Sequence, residues 1–237
     1  MERPQSIPFK RVTAKNVSEF VLEQLEEAIF LKEILPDTQL PPERELARMF
    51  HASRMVVREA IAELEAKGLV EKRLGAKGGT FVLPITHKAL EYAKEQIVEQ
   101  KEQLKDLLEY RSIVEPEAAA LAAERITQEE LRELREILDL SLNDVNRELF
   151  RSLDVKFHLI IAKASRNSFF EQAVRQIRIK INLGLDILPF DERIKKLSVH
   201  DHQQIHEALM NRDSDRAKAL MREHLSTTEH SLRQFTS

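Results

Sequence analysis

The sequence predicts a mainly α-helical protein of two domains: an N-terminal domain of short helices that ends in a β-hairpin, and an all-helical C-terminal bundle. Its 237 residues exceed the length of about 150 at which one domain is usual. Six of the eight prolines and four of the five glycines lie in the first 84 residues. The remainder is rich in Glu, Leu, Ala, Lys and Arg, which is typical of packed helices. We therefore expect domains over residues 1–84 and 85–237.

Composition excludes several classes of protein. No apolar run approaches the roughly 18 residues that a membrane span needs, and the N-terminus lacks the apolar core of a secretion signal, so we expect a cytoplasmic protein with no membrane partner. The absence of cysteine excludes disulfides, thiolate zinc fingers and thiol nucleophiles. Metal ligands, if there are any, must therefore be His, Asp or Glu.

Three helices are predicted in the N-terminal domain. Apolar residues at helical spacing from 17 to 29 predict the first helix. The proline pair 41–42 opens a short second helix that ends near residue 51, because proline is tolerated in a first helical turn. Ser53 can cap a third helix, which Gly68 stops.

A β-hairpin follows the third helix. Residues 69–73 and 80–83 have strand composition, and a polar, glycine-containing tip separates them. Helices two and three with this hairpin predict a winged helix-turn-helix, in which the third helix enters the major groove of DNA. Lys77, Gly78 and Gly79 at the wing tip would approach the adjacent minor groove closely.

Arginines occupy the exposed face expected of the recognition helix. Arg54 and Arg58 are one turn apart, opposite the apolar stripe that contains Val57, so both can meet DNA. Arg44, near the start of the second helix, suits either a phosphate or a guanine edge. The alternative is that these arginines are surface residues paired with nearby glutamates, namely Glu43, Glu45 and Glu59.

Charge gives the DNA hypothesis only weak support. The whole chain has a formal net charge of −3, which is unusual for a nucleic-acid-binding protein. Residues 38–80 carry eight Lys and Arg against six Asp and Glu, a local charge of +2. The positions of the arginines therefore carry the argument.

Six or seven helices are predicted in the C-terminal domain from helical spacing and caps. Thr127 with Glu130 forms a capping box, and Asn167 with Ser168 separates two helices. Such one-sided helices bury their apolar faces in a bundle. The predicted helices lie roughly at 88–113, 116–125, 128–146, 148–165, 168–188, 194–211 and 213–234.

The bundle contains a candidate metal site. Asp154 and His158 are one helical turn apart and point the same way, while His202 and His224 lie near the middle of the last two helices. These residue types suit Zn²⁺, Ni²⁺ or Mn²⁺. The alternative is chance, because eight histidines in a helical protein produce such pairs without a role, as His202 and His206 do.

Residues 40–82, LPPERELARMFHASRMVVREAIAELEAKGLVEKRLGAKGGTFV, resemble the DNA-binding domain of the GntR family of bacterial regulators. The resemblance places DNA contacts on Arg44, on the Ser53-Arg54 pair, on Arg58 and on the Gly78-Gly79 wing. The family usually has Thr or another small polar residue after this Ser-Arg pair, whereas this chain has Met55 and Val56. Apolar contact with a thymine methyl group can replace a hydrogen bond there.

Residues 104–232 resemble the C-terminal ligand-binding domain of the FadR subfamily, through LLEYRSIVEPEAAALAAERIT, LDVKFHLIIAKASRNSFF, HDHQQIHEAL and ALMREHL in that order. The resemblance implies a divalent metal, Zn²⁺ first with Ni²⁺ and Mn²⁺ as alternatives, whose coordination a small organic acid completes. The implied ligands are Asp154, His158, His202 and His224.

The same resemblance implies that Arg111 and Asn167 line the effector cavity, where a guanidinium can clamp a carboxylate and an amide can bond an acid or hydroxyl. Alternatively, Arg111 forms a salt bridge with Glu115 one turn on, and Asn167 is a helix cap.

Together these features predict a ligand-responsive transcription repressor that binds a palindromic operator as a homodimer. One alternative keeps the DNA-binding role but places a long acyl thioester in a metal-free helical domain. Another is a metal-dependent hydrolase, since Asp and three His can activate water, although no general base is evident.

Overall fold

The computed structural model describes residues 17–75, 78–84, 91, 101–186, 188 and 190–235. The predicted architecture is confirmed: helices predominate, and one antiparallel hairpin follows the N-terminal helices. None of the described helices is both long and apolar enough to cross a membrane. The predicted boundary after residue 84 borders residues outside the described ranges and stays a prediction.

The N-terminal domain has the predicted order of three helices and two strands. Its elements are α1 (Val17–Phe30), α2 (Glu43–Met49), α3 (Arg54–Ala66), β1 (Val70–Arg73) and β2 (Gly79–Val82). Apolar side chains of α1, including Leu25, pack against Val57 and Ile61 of α3. Ser53 caps α3, since its hydroxyl accepts a hydrogen bond from the Val56 amide at 3.3 Å.

Close packing within the wing explains why glycine occupies positions 78 and 79. A Cβ on Gly79 would lie 2.2 Å from the side-chain nitrogen of Gln39, and one on Gly78 would lie 2.6 Å from the carbonyl oxygen of Arg73. The Gln39 amide also donates a hydrogen bond to the carbonyl of Gly78 at 3.1 Å. The two glycines therefore allow this part of the wing to pack closely, whatever they do on DNA.

Six helices form the described part of the C-terminal domain. They are α4 (Lys101–Arg125), α5 (Gln128–Leu142), α6 (Arg147–Ala164), α7 (Ser168–Leu185), α8 (Glu192–Met210) and α9 (Ser214–Phe235). Helix α4 packs along α6, α7 and α9, and α8 packs against α5 and α9. The Thr127–Glu130 capping box at the start of α5 is confirmed.

The predicted break between residues 113 and 116 is wrong. Helix α4 continues through Pro116, although an internal proline removes one backbone hydrogen bond and costs about 3 kcal/mol. Buried side chains on both sides of the proline, including Val114, Ala118 and Ala122, hold the helix against its neighbours. Tertiary packing thus overrides the local helix-breaking signal of Pro116. The predicted start of this helix at residue 88 lies outside the described residues.

Candidate functional site

The four predicted metal ligands converge on one point in the bundle. Asp154 and His158 come from α6, His202 from α8 and His224 from α9. Each offers one ligand atom, these atoms all lie within 4.8 Å of one another, and all four residues are buried. Helices far apart in sequence thus bring together one carboxylate and three imidazoles.

The spacing of these atoms fits a small divalent cation. The Nε2 atoms of His202 and His224 are 3.2 Å apart, close to the roughly 3.3 Å expected for two imidazole nitrogens on a tetrahedral Zn²⁺. Asp154 Oδ1 lies 3.5 Å from His202 Nε2 and 3.9 Å from His158 Nε2. His158 Nε2 is buried without a hydrogen-bond partner, which is costly unless a ligand satisfies it.

Neighbouring groups orient the imidazoles. Glu115 contacts His158 Nδ1 at 2.5 Å, and Asp201 contacts His224 Nδ1 at 3.2 Å. A carboxylate on Nδ1 fixes the ring so that Nε2 faces the centre, as in many protein metal sites. His202 is held differently, because its ring stacks on Phe157 with centroids 4.1 Å apart.

A buried ionic network surrounds the cluster, and sequence reasoning missed its central member, Arg178. Arg178 on α7 donates from Nη1 to Asp154 Oδ2 at 2.9 Å and lies 3.9 Å from Glu115. Arg111 donates from Nε to Glu115 Oε1 at 2.6 Å, which is the salt bridge considered as the alternative for that residue. Arg111 Nη1 and Arg178 Nη2 are nevertheless buried without hydrogen-bond partners. No local pattern marks Arg178, because its partner Asp154 is 24 residues away.

Asn167 is found at the start of α7, where it acts as a helix cap. Its side-chain oxygen accepts a hydrogen bond from the Phe169 amide at 3.0 Å. The local role considered for this residue is therefore present, and its effector role stays a prediction.

The pKa shifts of Asp154, His158 and His202 suit a cation at neutral pH. Burial lowers the pKa of His158 to about 4, aided by the charge of Arg178. Burial and the neighbouring His224 also hold the pKa of His202 well below its usual value. Although burial alone would raise the pKa of Asp154, Arg178 and the histidines hold it well below the usual range. Ionised carboxylate and neutral imidazoles are the forms that bind metal.

We expect the metal-free protein to lose stability as pH falls. Unfolded His158 takes up a proton near pH 6.5, whereas the folded residue does so only near pH 4, so the unfolded chain binds more protons between these values. This residue alone should lower the free energy of unfolding by about 2 kcal/mol between pH 7.5 and pH 5. Urea unfolding in EDTA measures the change, with the exposed His200→Ala variant as control. A free energy of unfolding that stays constant between pH 7.5 and pH 5 would contradict the lowered pKa of His158.

The predicted DNA-binding face of α3 is exposed. Arg54 and Arg58 project into solvent, while Val57 between them is fully buried, and Arg44 of α2 is also exposed. Met55 is 68% exposed beside Arg54, so it rather than the half-buried Val56 is placed for an apolar contact with a base. The arrangement provides two guanidinium groups and a thioether on one surface.

Glu43 holds Arg58 in the absence of DNA. The Arg58 Nη2 and Nε atoms lie 3.0 and 3.2 Å from Glu43 Oε2, and this hydrogen bond with Arg58 lowers the pKa of Glu43. Glu45 pairs with Arg48 instead, at 3.7 Å. Surface pairs of this kind contribute little stability, so Arg58 can exchange Glu43 for a DNA phosphate or base. Lys77 lies outside the described residues.

The fold and the two sites define the class of protein: a helix-turn-helix domain joined to a helical ligand-binding domain. Residues 17–82 match the model of the bacterial regulatory proteins of the gntR family, and residues 106–227 match the FCD domain. The chain therefore belongs to the GntR family, in the FadR-like subfamily that carries the FCD domain. Its members are transcription regulators rather than enzymes, which excludes the hydrolase alternative, and some FCD domains bind metals.

Similar proteins agree with this membership. The chain is 34% identical over 218 residues to the Uxu operon transcriptional regulator of Escherichia coli (strain K12), covering 85% of this chain and 81% of that protein. It is 30% identical over 207 residues to the HTH-type transcriptional regulator LutR of Bacillus subtilis (strain 168), covering 83% and 92%. The solved structure of E. coli McbR/YncC shares the fold, with a TM-score of 0.54, 19% identity and coverage of 92% and 98%.

Proposed function

We propose that this regulator is a repressor whose helical domain holds a divalent metal ion, Zn²⁺ first, together with a small organic acid. The convergence of Asp154, His158, His202 and His224, with a buried and unpartnered His158 Nε2, is the observation that carries the proposal. When bound, the ion would supply positive charge, and an oxygen of the acid would join the four protein ligands by expanding the coordination shell.

Two buried guanidinium groups support an acidic effector. Arg111 Nη1 and Arg178 Nη2 are buried donors without hydrogen-bond partners beside the ligand cluster. A carboxylate can accept hydrogen bonds from both, and charge-assisted bonds of this kind are stronger than neutral ones. Arg111 would thus keep its salt bridge to Glu115 through Nε and bind the effector through Nη1.

On DNA, we place the α3 helices of a homodimer in successive major grooves of a palindromic operator, one helical turn apart. Arg44, Ser53, Arg54 and Arg58 contact each half-site, and Gly78 and Gly79, with Lys77, place the wing against the minor groove. The exposure of the three arginines supports this assignment.

Metal analysis separates the two effector hypotheses. Protein purified without a histidine tag is expected to contain one divalent ion per chain, measured by inductively coupled plasma mass spectrometry. The acyl-thioester alternative needs no metal, so protein that stays metal-free and does not bind added Zn²⁺ would favour it.

An acid that releases the repressor from DNA must bind the operator-free protein more tightly than the operator-bound protein. A ligand with equal affinity for both states would not change the ratio of the two. Titration calorimetry of the Zn²⁺-loaded protein with a panel of small organic acids should therefore show weaker binding when the protein's own promoter DNA is present, by about 5- to 150-fold. The same affinity with and without DNA would contradict a ligand-responsive repressor.

A further inference from the structure

Polar contacts join helix α7 to the N-terminal domain. Arg175 Nε lies 2.5 Å from Glu27 on α1, and Arg175 Nη1 lies 3.0 Å from Glu33 just after α1. Two turns further along α7, the Asn182 amide donates a hydrogen bond to the carbonyl oxygen of Phe30 at 2.7 Å. The C-terminal end of α1 is therefore attached to α7 by directional contacts.

A largely buried ion pair continues this contact at the end of α7. Lys32 Nζ lies 2.6 Å from Asp186 Oδ2, and the two side chains are only 11% and 4% exposed. The backbone of Lys32 also participates, because its carbonyl accepts a hydrogen bond from Ser152 of α6. Separating a buried pair leaves uncompensated charges, so these contacts favour one arrangement of the two domains.

The same face of α7 also reaches the metal site. Arg178 lies between Arg175 and Asn182, and the spacings of three and four residues place all three side chains on one side of the helix. Arg178 is fully buried and hydrogen-bonded to the ligand Asp154, whereas its two neighbours contact the N-terminal domain. A recess lined by Asp154, Lys32, Asn182 and Asp186, among others, places this ligand at the border between the domains.

We infer that α7 transmits the occupancy of the metal site to the DNA-binding domain. Arg178 is the positioning residue, and α1 moves with α7 through the contacts of Arg175, Asn182 and Lys32. This inference rests on the proposed function. A cation held by Asp154 would compete with Arg178 for the charge of that carboxylate, and an acid would offer Arg178 a second acceptor. Either change alters the pair that fixes α7.

A shift of α7 would reach the recognition helix α3 through α1. Helix α1 packs on α3 through Val21, Leu25 and Ile29, whose side chains belong to one buried cluster with Val57 and Ile61. Packed cores move as units rather than deform continuously. A displacement of α1 therefore carries α3, with Arg54 and Arg58, relative to the helical domain.

Distances between spin labels test the inference directly. The chain has no cysteine, so the exposed Glu59 of α3 and Glu136 of α5 can be replaced by cysteine and labelled. Labelled protein is diluted into unlabelled protein so that only distances within one chain are measured. Zn²⁺ alone, added to EDTA-treated protein, is the probe, and calorimetry in parallel reports whether it binds.

Zn²⁺ is expected to shift the distance distribution in the parent protein and not in an Arg175→Ala, Asn182→Ala variant, although both bind the ion within about threefold of each other. Lys180→Ala is the matched control, because it removes an exposed positive charge from the same helix and should respond like the parent. Equal shifts in parent and variant, or binding without any shift, would overturn the inference alone. Failure of the parent to bind Zn²⁺ would overturn the proposed function instead.

Discussion

Replacing Arg54 and Arg58 together by alanine is expected to weaken operator binding by at least about 100-fold while leaving the fold intact. Each chain loses two groups able to make bidentate contacts with guanine or phosphate. The fold should survive because both side chains are exposed, whereas α3 is held by buried residues on its opposite face. Fluorescence anisotropy with promoter DNA measures the affinity, and circular dichroism checks the helices.

A control with the same change in charge makes this result specific. Arg132 and Arg135 are exposed on α5, far from α3 in the chain, so their double replacement by alanine removes the same two positive charges from the helical domain. We expect that variant to bind the operator within about threefold of the parent protein, since surface charges beyond a Debye length are largely screened. A folded Arg54→Ala, Arg58→Ala variant that bound as tightly as this control would remove the basis of the DNA-binding assignment.

Replacing His224 by alanine is expected to abolish stabilisation by Zn²⁺. An ion at one hundred times its dissociation constant stabilises the folded state by about 2.7 kcal/mol. In a protein of this size that corresponds to a rise in Tm of roughly 5–10 °C. Loss of one of four ligands should weaken metal binding by at least about 100-fold, so the rise in Tm should fall to about 1 °C or less at the same Zn²⁺ concentration.

His224 is a better choice for this test than Asp154. Removal of the Asp154 carboxylate would leave the buried Arg178 guanidinium without its closest partner, and the variant would fail for a reason unrelated to metal. The Nδ1 atom of His224 contacts Asp201, whose side chain is 25% exposed and can be hydrated once the imidazole is gone. His200→Ala, an exposed change on α8, should retain the full rise in Tm. An unchanged rise in the His224 variant would place the ion elsewhere.

Local signals were sufficient to predict the N-terminal domain. The proline pair before α2, the cap at Ser53, the stop at Gly68 and the glycine-containing hairpin each specify structure within a few residues. The predicted helix break before Pro116 was wrong for a non-local reason. Contacts from helices distant in sequence compensate for the backbone hydrogen bond that α4 loses at this proline. A local rule cannot include such contacts.

The candidate site could be predicted only in part. Helical spacing pairs Asp154 with His158, but the sequence alone does not bring His202 and His224 to the same point, and the family resemblance was needed for that. Arg178 went unnoticed because its pairing with Asp154 depends on how α7 packs against α6. The contacts between the domains join residues about 150 positions apart, as Arg175 and Glu27 do at a separation of 148, which no sequence periodicity can indicate.

The most direct test of the metal-dependent account is a crystal structure of the Zn²⁺-treated protein with anomalous data collected on both sides of the zinc absorption edge. We expect one strong anomalous peak per chain, about 2.0–2.2 Å from Asp154, His158, His202 and His224. Protein that contains zinc but shows its anomalous peak away from these four side chains would contradict the account.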